Sequence, residues 1–367
     1  MSSPKQSSPS KGQKQGGNHG RAAGVLVLYN APGKPAASAE NAGDYISEAA
    51  VEEEAAAVAA ALGELGIEPR VHALSSVSGL LRLVHREKPG LVFNLAEGFR
   101  GSAAREMNVA ALLELLEIPY TGNSAKCLCI AQDKILSKRL FLSAGVPTPA
   151  WTVYSGGALS GEGFSGGLFP SIESMRFPLI AKPSREDASL GISVAGDFPS
   201  RAELEAAVRG LFAAYRQPIL IEEFIDGREI NAALLEEDGC PRVLPLSEIL
   251  FDGLPPGAPK ITGYEAKWRT ESAYYKGTPA RCPAVLEGGL KKEIEELALT
   301  VFSLLGGKDY GRVDFRVDPR GRPWVLEYNP NPDISPSGGF CRSLKAGGRD
   351  MKDFARILLR NTGHDAQ

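Results

Sequence analysis

GRVDFRVDPRGRPWVLEYNPNP, residues 311–332, is the stretch on which the fold turns. Asp318-Pro-Arg-Gly321 is a turn signal, with proline at its second position. The flanking runs Arg312–Val317 and Trp324–Tyr328 therefore read as the strands of a hairpin. If Asp318 pairs with Gly321, Asp314 and Glu327 become diagonal neighbours on one sheet face. Asn329 follows on that face, two residues beyond Glu327. Two carboxylates and an amide oxygen are hard ligands that suit Mg²⁺, with phosphate completing the shell. The alternative is a solvated polar face on a plain hairpin. Two features speak against it: the strands are otherwise apolar, and the exit Asn329-Pro-Asn-Pro332 makes a poor strand but a good rigid loop.

Upstream, strands and helices alternate. Apolar runs at Gly24–Asn30, Val71–Leu74 and Leu91–Leu95 read as strands. Helices are expected at Glu48–Leu65 (closed by Gly66), Leu80–Arg86 and Ala104–Glu117. This predicts an α/β class with a parallel sheet covered on both faces. After Gly122 the pattern becomes α+β. A helical pair runs to Gly145, and strands follow at Ala150–Tyr154 and Pro178–Pro183. Between those strands Ser155–Ser171, rich in Gly and Ser, reads as a flexible insertion. Ser200 and Glu203 open a helix to Tyr215. Strands are then expected at Ile219–Phe224, Glu229–Leu235 and Val243–Ile249, and one helix at Leu286–Leu305. The expected parts are a tail (1–22), an N-terminal domain (23–123), a central subdomain (124–217) and a C-terminal subdomain (218–367).

The 367 residues suffice for several units with real cores. A net charge of −3 gives no positive field for nucleic acid or anionic lipid, and no run of 18 apolar residues predicts a membrane span. Residues 1–22 hold almost no large apolar side chain, so they read as a disordered tail without a secretory apolar segment. The five cysteines form no C-x-x-C pair, which speaks against a zinc or dithiol site and fits reduced thiols in a cytoplasmic protein.

Four further stretches carry chemistry. Lys182 ends an apolar strand before the small-residue loop Pro183–Gly191, which contains Ser189; an ammonium and loop N–H groups can hold phosphate there. No Walker loop and no G-x-G-x-x-G is present. Glu222, Glu223, Phe224 and Ile225 close another strand, and Glu229 opens the next; strand-end carboxylates and backbone groups can bind adenine and ribose, or simply cap a charged hairpin. Lys134 opens a helix, where a lysine is ordinarily solvated. Lys267 and Trp268 lie in the Gly/Pro-rich stretch Gly253–Pro283, a lid or a plain surface loop.

In this order the stretches resemble the ATP-grasp superfamily, most closely the D-alanine–D-alanine ligase family. The likeness runs over residues 91–360 and is densest in IPYTGNS (118–124), QDKILSKR (132–139) and AGVPTP (144–149). It implies a three-part ATP-grasp fold: a Rossmann-like N-terminal parallel sheet, and two α+β subdomains sandwiching ATP. It implies that Lys134 and Lys182 bind nucleotide phosphates, with Ser189 and Gly191 in the phosphate flap. Glu222, Glu223, Phe224 and Ile225 match the adenine strand, Glu229 the ribose carboxylate, and Lys267 the lysine that approaches the terminal phosphate. Asp314, Glu327 and Asn329 match a site for two Mg²⁺ or Mn²⁺ ions, and Arg312 the arginine that stabilises the tetrahedral intermediate. The implied reaction joins a small-molecule carboxylate to an amine through an acyl phosphate, with no nucleic-acid or membrane partner; a homodimer is compatible with the resemblance.

The substrate end departs from the family pattern. Tyr29-Asn-Ala-Pro-Gly33 stands where the family has Gly-Gly-x-Ser-x-Glu, Ala188 replaces a serine, and Trp268 replaces a tyrosine. Glu97, Arg105, Trp268 and Asp333 are the expected substrate residues. The primary expectation is an amide-forming ligase for an amino acid or amino-acid-like molecule. The alternatives are a D-alanine–D-alanine ligase and a non-catalytic nucleotide-binding protein.

Overall fold

A computed structural model describes residues 24–31, 42–156, 172–186, 197–198, 201–263, 266–267, 269 and 271–364. The expected tail, most of the insertion 155–171, and Ala188, Ser189, Gly191 and Trp268 lie outside the described residues.

The first layer is a parallel sheet of β1 (Val25–Asn30), β2 (Arg70–Leu74) and β3 (Leu91–Leu95), in the order β2-β1-β3. Strand β1 is apolar at successive positions because both its faces are covered. Leu26 and Leu28 pack on α2 (Val77–Glu87) and α3 (Glu106–Leu115). Val25 and Val27 pack on α1 (Ala42–Glu64) and on a core reaching far along the chain. That core includes Ala233, Leu235, Tyr310 and Phe354, so the N-terminal sheet and the C-terminal part share one interior.

Helices α4 (Ala125–Gln132) and α5 (Lys134–Ser143) follow, each started by a side-chain cap from Ser124 and Asp133. The second sheet is antiparallel, β4-β7-β5-β6: β4 (Trp151–Tyr154), β5 (Leu179–Pro183), β6 (Asp197–Phe198) and β7 (Ile219–Glu223). Helix α6 (Arg201–Tyr215) covers one face through Leu204 and Val208. The opposite face carries Leu220, Glu222 and Lys182. The boundary expected at 217/218 falls just before β7, which belongs to this sheet; α4 and α5 pack instead on the third. A short α-to-β connection leaves no composition signal between α6 and β7.

The third sheet runs β11-β10-β8-β12-β13, with β9 also on β8. Its strands are β8 (Arg228–Glu237), β9 (Cys240–Val243), β10 (Ser247–Ile249), β11 (Ala280–Arg281), β12 (Tyr310–Val317) and β13 (Pro323–Asn329). The strand expected at Val243–Ile249 is split, because Pro245 cannot donate to a ladder. Alternation along the strands sorts the two faces. Ile230, Ala232, Val313 and Phe315 join α4, α5 and the long helix at Gly288–Leu304 in one core. The polar residues between them face the other way, toward the second sheet. Three more helices, Ala273–Gly277, Gly339–Ala346 and Met351–Asn361, add to the expectation. The last begins with a full capping box, Asp350 with Asp353, and buries Phe354, Ile357 and Leu358.

Candidate active site

Strand register builds the site. Asp314 lies directly opposite Glu327, not diagonal to it, and Arg312 opposite Asn329. The reason is two one-residue shifts: the turn places Val317 opposite Pro323 rather than Arg322, and a bulge follows, with Phe315 opposite Val325 and Asp314 opposite Glu327, so Leu326 is the extra residue. On the other side Asp314 pairs with Asn231 and Arg316 with Glu229. One face of three strands therefore carries Glu229, Asn231, Arg312, Asp314, Arg316, Glu327 and Asn329.

Asp314 is held by a ring of donors. Its Oδ1 accepts from Asn231 Nδ2 (2.8 Å) and Arg312 Nε (2.7 Å), and its Oδ2 from Arg312 Nη2 (2.9 Å) and Asn329 Nδ2 (3.0 Å). Glu327 stands 3.6 Å from the Lys134 ammonium. Burial alone would raise its pKa, but Lys134, Lys182, Lys267 and Arg312 together hold it at about 2. The carboxylate is thus ionised in a strongly positive field. The exit loop is fixed by Asn123, whose amide donates to Tyr310 O (2.7 Å) and Pro330 O (2.6 Å).

The second sheet supplies the opposite wall. Lys182 and Glu222 are diagonal neighbours across β5 and β7, 2.5 Å apart. Glu222 also binds Lys138, at 2.9 Å. Lys138 is 1% exposed and donates to Thr148 Oγ1 (2.7 Å), which donates to Val325 O (2.8 Å). This chain of bonds ties the second sheet to the hairpin of β12 and β13. Burial depresses the Lys138 pKa; burial opposes, but Lys138 and Lys182 depress, that of Glu222. The Lys134 ammonium donates to Glu186 O (2.7 Å).

The residues expected on the adenine strand are arranged differently from a simple carboxylate reading. Glu222 is taken up by lysines, and Glu223 accepts a fork from Arg176 (Nε 3.1 Å, Nη2 2.8 Å). The N–H groups of Glu223 and Phe224 bond Ala150 O and Pro178 O. The Ile225 N–H has no backbone partner among the described residues. Glu229 faces the cavity and pairs with Arg316 at 3.7 Å.

One cavity of about 1050 Å³ is lined by Glu97, Glu229, Lys267, Arg312, Asp314 and Asp333 among others; Lys134, Lys182, Glu222 and Glu327 are not in its wall. Lys267 sits on its rim, its N–H bonded to Gly263 O (3.2 Å). Glu54, Glu97 and Asp333 converge on the same cavity. Glu54 is 2% exposed and accepts from the Ile334 N–H (3.1 Å). Burial, then the charges of Glu97 and Asp333, push its carboxyl well above the usual range. Arg105 is exposed and off the cavity wall; its neighbour Glu106 lines it instead. Sequence reasoning missed Lys138, although its i+4 spacing from Lys134 puts both on one helix face. It also missed Glu54, Arg176 and Arg316, whose partners are distant in sequence.

Comparison with known proteins gives a consistent result. The family model described as D-ala D-ala ligase C-terminus matches residues 140–360. An uncharacterized protein of Sinorhizobium fredii, y4sG, is 35% identical over 310 residues, 82% of this chain and 85% of that protein. A protein named D-alanine–D-alanine ligase from Bordetella pertussis is 32% identical over 260 residues, 71% of this chain and 75% of the relative. The crystal structure of D-alanine–D-alanine ligase from Bacillus anthracis complexed with ATP superposes with a TM-score of 0.68. It is 20% identical and covers 93% of this chain and 97% of that one, a likeness of fold. Among the described residues no helix is long and apolar enough to cross a membrane.

Proposed function

The chain belongs to the D-alanine–D-alanine ligase family of ATP-grasp enzymes, and from that premise we propose that it forms an amide bond between an amino-acid carboxylate and an amine, through an acyl phosphate. One observation carries the reading: a single cavity is lined both by Lys267, Arg312 and Asp314 and by the carboxylates of Glu54, Glu97 and Asp333. Lys267 and Arg312 suit ATP phosphates. Asp314, Glu327 and Asn329 would hold Mg²⁺ or Mn²⁺; bound there, the ion offsets charge on the transferred phosphoryl group. The hard donor set fits such an ion, and ligation by Asp314 would replace part of its fork with Arg312.

Each residue then has a task. The Ile225 N–H is a donor for the base, and Glu229 an acceptor for ribose hydroxyls. Lys134, Lys182 and Lys267 neutralise phosphate oxygens. Glu222 keeps Lys182 in place from behind. Attack of the substrate carboxylate oxygen on the terminal phosphorus gives the acyl phosphate and ADP. The amine nitrogen attacks the acyl carbon, Arg312 steadies the oxyanion, and phosphate leaves with the bonding pair. Glu54, Glu97 and Asp333 suit a substrate ammonium, because a cation there relieves the repulsion among three carboxyls.

The test is direct. The protein is incubated with ATP, Mg²⁺ and pooled amino acids and small carboxylates, and ADP and new masses are followed. Turnover to ADP with a condensed product is expected; ATP binding without turnover in any pool overturns the reading. A second reading, D-alanine as both substrates, is favoured by the Bordetella pertussis relative. Formation of the dipeptide from D-alanine alone decides between them.

A further inference from the structure

Between β10 and β11 the chain leaves the third sheet and returns to it. The neck is closed by Leu250 N–H to Pro279 O (2.9 Å). It is also closed by two glycines pressed backbone to backbone. A Cβ on Gly253 would lie 2.9 Å from Gly277 Cα, and one on Gly277 2.6 Å from Gly253 O. The loop so cinched carries Lys267 to the cavity rim.

Arg316 holds this loop from the sheet side. It is 3% exposed, on the functional face of β12. Its Nη2 donates to Lys260 O in the loop, and its Nη1 to Gly227 O (3.4 Å) in the β7–β8 turn. Its guanidinium lies over the rings of Phe224 (5.0 Å) and Phe251 (5.3 Å), and Glu229 stands at 3.7 Å. One buried cation thus bonds the loop, stacks on its first aromatic ring, and contacts the turn that leads to the expected ribose carboxylate. A buried guanidinium needs most of its donors and both faces satisfied, and here the loop supplies a share of each.

We propose that Arg316 is a positioning residue: it docks the loop between β10 and β11 on the third sheet, through Phe251 and Lys260, and so sets Lys267 in the cavity wall. Arg316 acts through the loop rather than on the reacting atoms. The proposal rests on the ligase reading for the task of Lys267, but not for the docking itself.

The test compares wild type with Arg316→Met, Arg316→Lys and Lys267→Ala. Limited tryptic cleavage at Lys260, Lys267 and Arg269 reads docking without any substrate. ADP release with ATP, Mg²⁺ and D-alanine, or the amino-acid pool that turns over, reads the reaction. Cleavage in Arg316→Met is expected to rise at least about tenfold, since it follows the population of the undocked loop. Its kcat should fall about 10²-fold, as for Lys267→Ala, because a misplaced group about 1 Å away loses that much. The KM for ATP should change less than kcat, and Arg316→Lys should recover part of both readouts. Phe251→Leu, which keeps the guanidinium and removes one ring, should loosen the loop to an intermediate degree if Arg316→Met does not fold. Wild-type cleavage in Arg316→Met and Phe251→Leu overturns the docking. Faster cleavage with kcat unchanged, while Lys267→Ala is inactive, overturns the positioning role. An active Lys267→Ala overturns the task assigned to Lys267, and the positioning claim with it.

Discussion

Glu222→Gln isolates the interaction that joins the two walls of the site. The Glu222 carboxylate lies 2.9 Å from Lys138 and 2.5 Å from Lys182, and all three side chains are buried. Glutamine keeps the shape and one hydrogen bond but removes the only anion in ion-pair contact with Lys138 among the described residues. Two estimates of the cost agree. Removing one partner of a buried ion pair costs about 3–5 kcal/mol. Alternatively, Lys138 gives up its proton; holding a lysine neutral at pH 7 costs about 1.4 kcal/mol per pH unit below its ordinary value near 10.4, about 5 kcal/mol. The expected loss is therefore about 3–5 kcal/mol, read as the shift of the urea midpoint and as roughly 4–7 °C in Tm for a chain of this size. The pH dependence has a definite sign. A lysine depressed in the folded variant binds fewer protons there than when unfolded, so the variant regains stability relative to wild type as pH rises from 7 toward 10. A loss under about 1 kcal/mol, or one flat across that range, would refute the buried-network reasoning.

Three more outcomes are expected. Native thiol labelling should modify the exposed Cys129 and Cys240 first and spare Cys127 and Cys341, whose burial pushes them to about 12; rapid labelling of either buried thiol contradicts the packing. Gly227→Ala should destabilise the fold by about 3 kcal/mol or more, because its φ is 144° and a Cβ would run into Val317 O; chemical denaturation measures it. Asp314→Asn should lower turnover by about 10²-fold or more with the native fold retained in circular dichroism, a metal ligand counting for at least as much as the groups behind it.

The hairpin and its functional face were legible because a Pro-Gly turn and a two-residue alternation are local signals. The bulge at Leu326 was not, since no residue there marks an inserted position; together with a one-residue shift at the turn it made an expected diagonal pair a direct one. Both faces of β1 are apolar, which announced a covered parallel strand but not that the cover would come from Met351–Asn361. That helix carried its own signals in Asp350, Asp353, Phe354 and Leu358. The residues proposed for phosphate and metal follow an ordered series of motifs, so a resemblance could nominate them. Their supports could not be found that way: Glu222 meets Lys138 across 84 residues, and Arg316 meets Phe224 across 92, since 222 − 138 = 84 and 316 − 224 = 92. Arg105 and Glu106 show the limit of motif reading on a helix start, where one residue turns a side chain by about 100°.

In the proposed reaction the substrate carboxylate is activated by phosphoryl transfer beside Lys267, Arg312 and Asp314. Oxygen-18 placed in the carboxylate of the substrate amino acid tests it most directly, by mass analysis of the phosphate released with ATP and Mg²⁺. The account predicts ADP as the nucleotide product and one labelled oxygen in inorganic phosphate for each amide bond formed. Label appearing in AMP, with pyrophosphate released, or product formed with unlabelled phosphate, would contradict it.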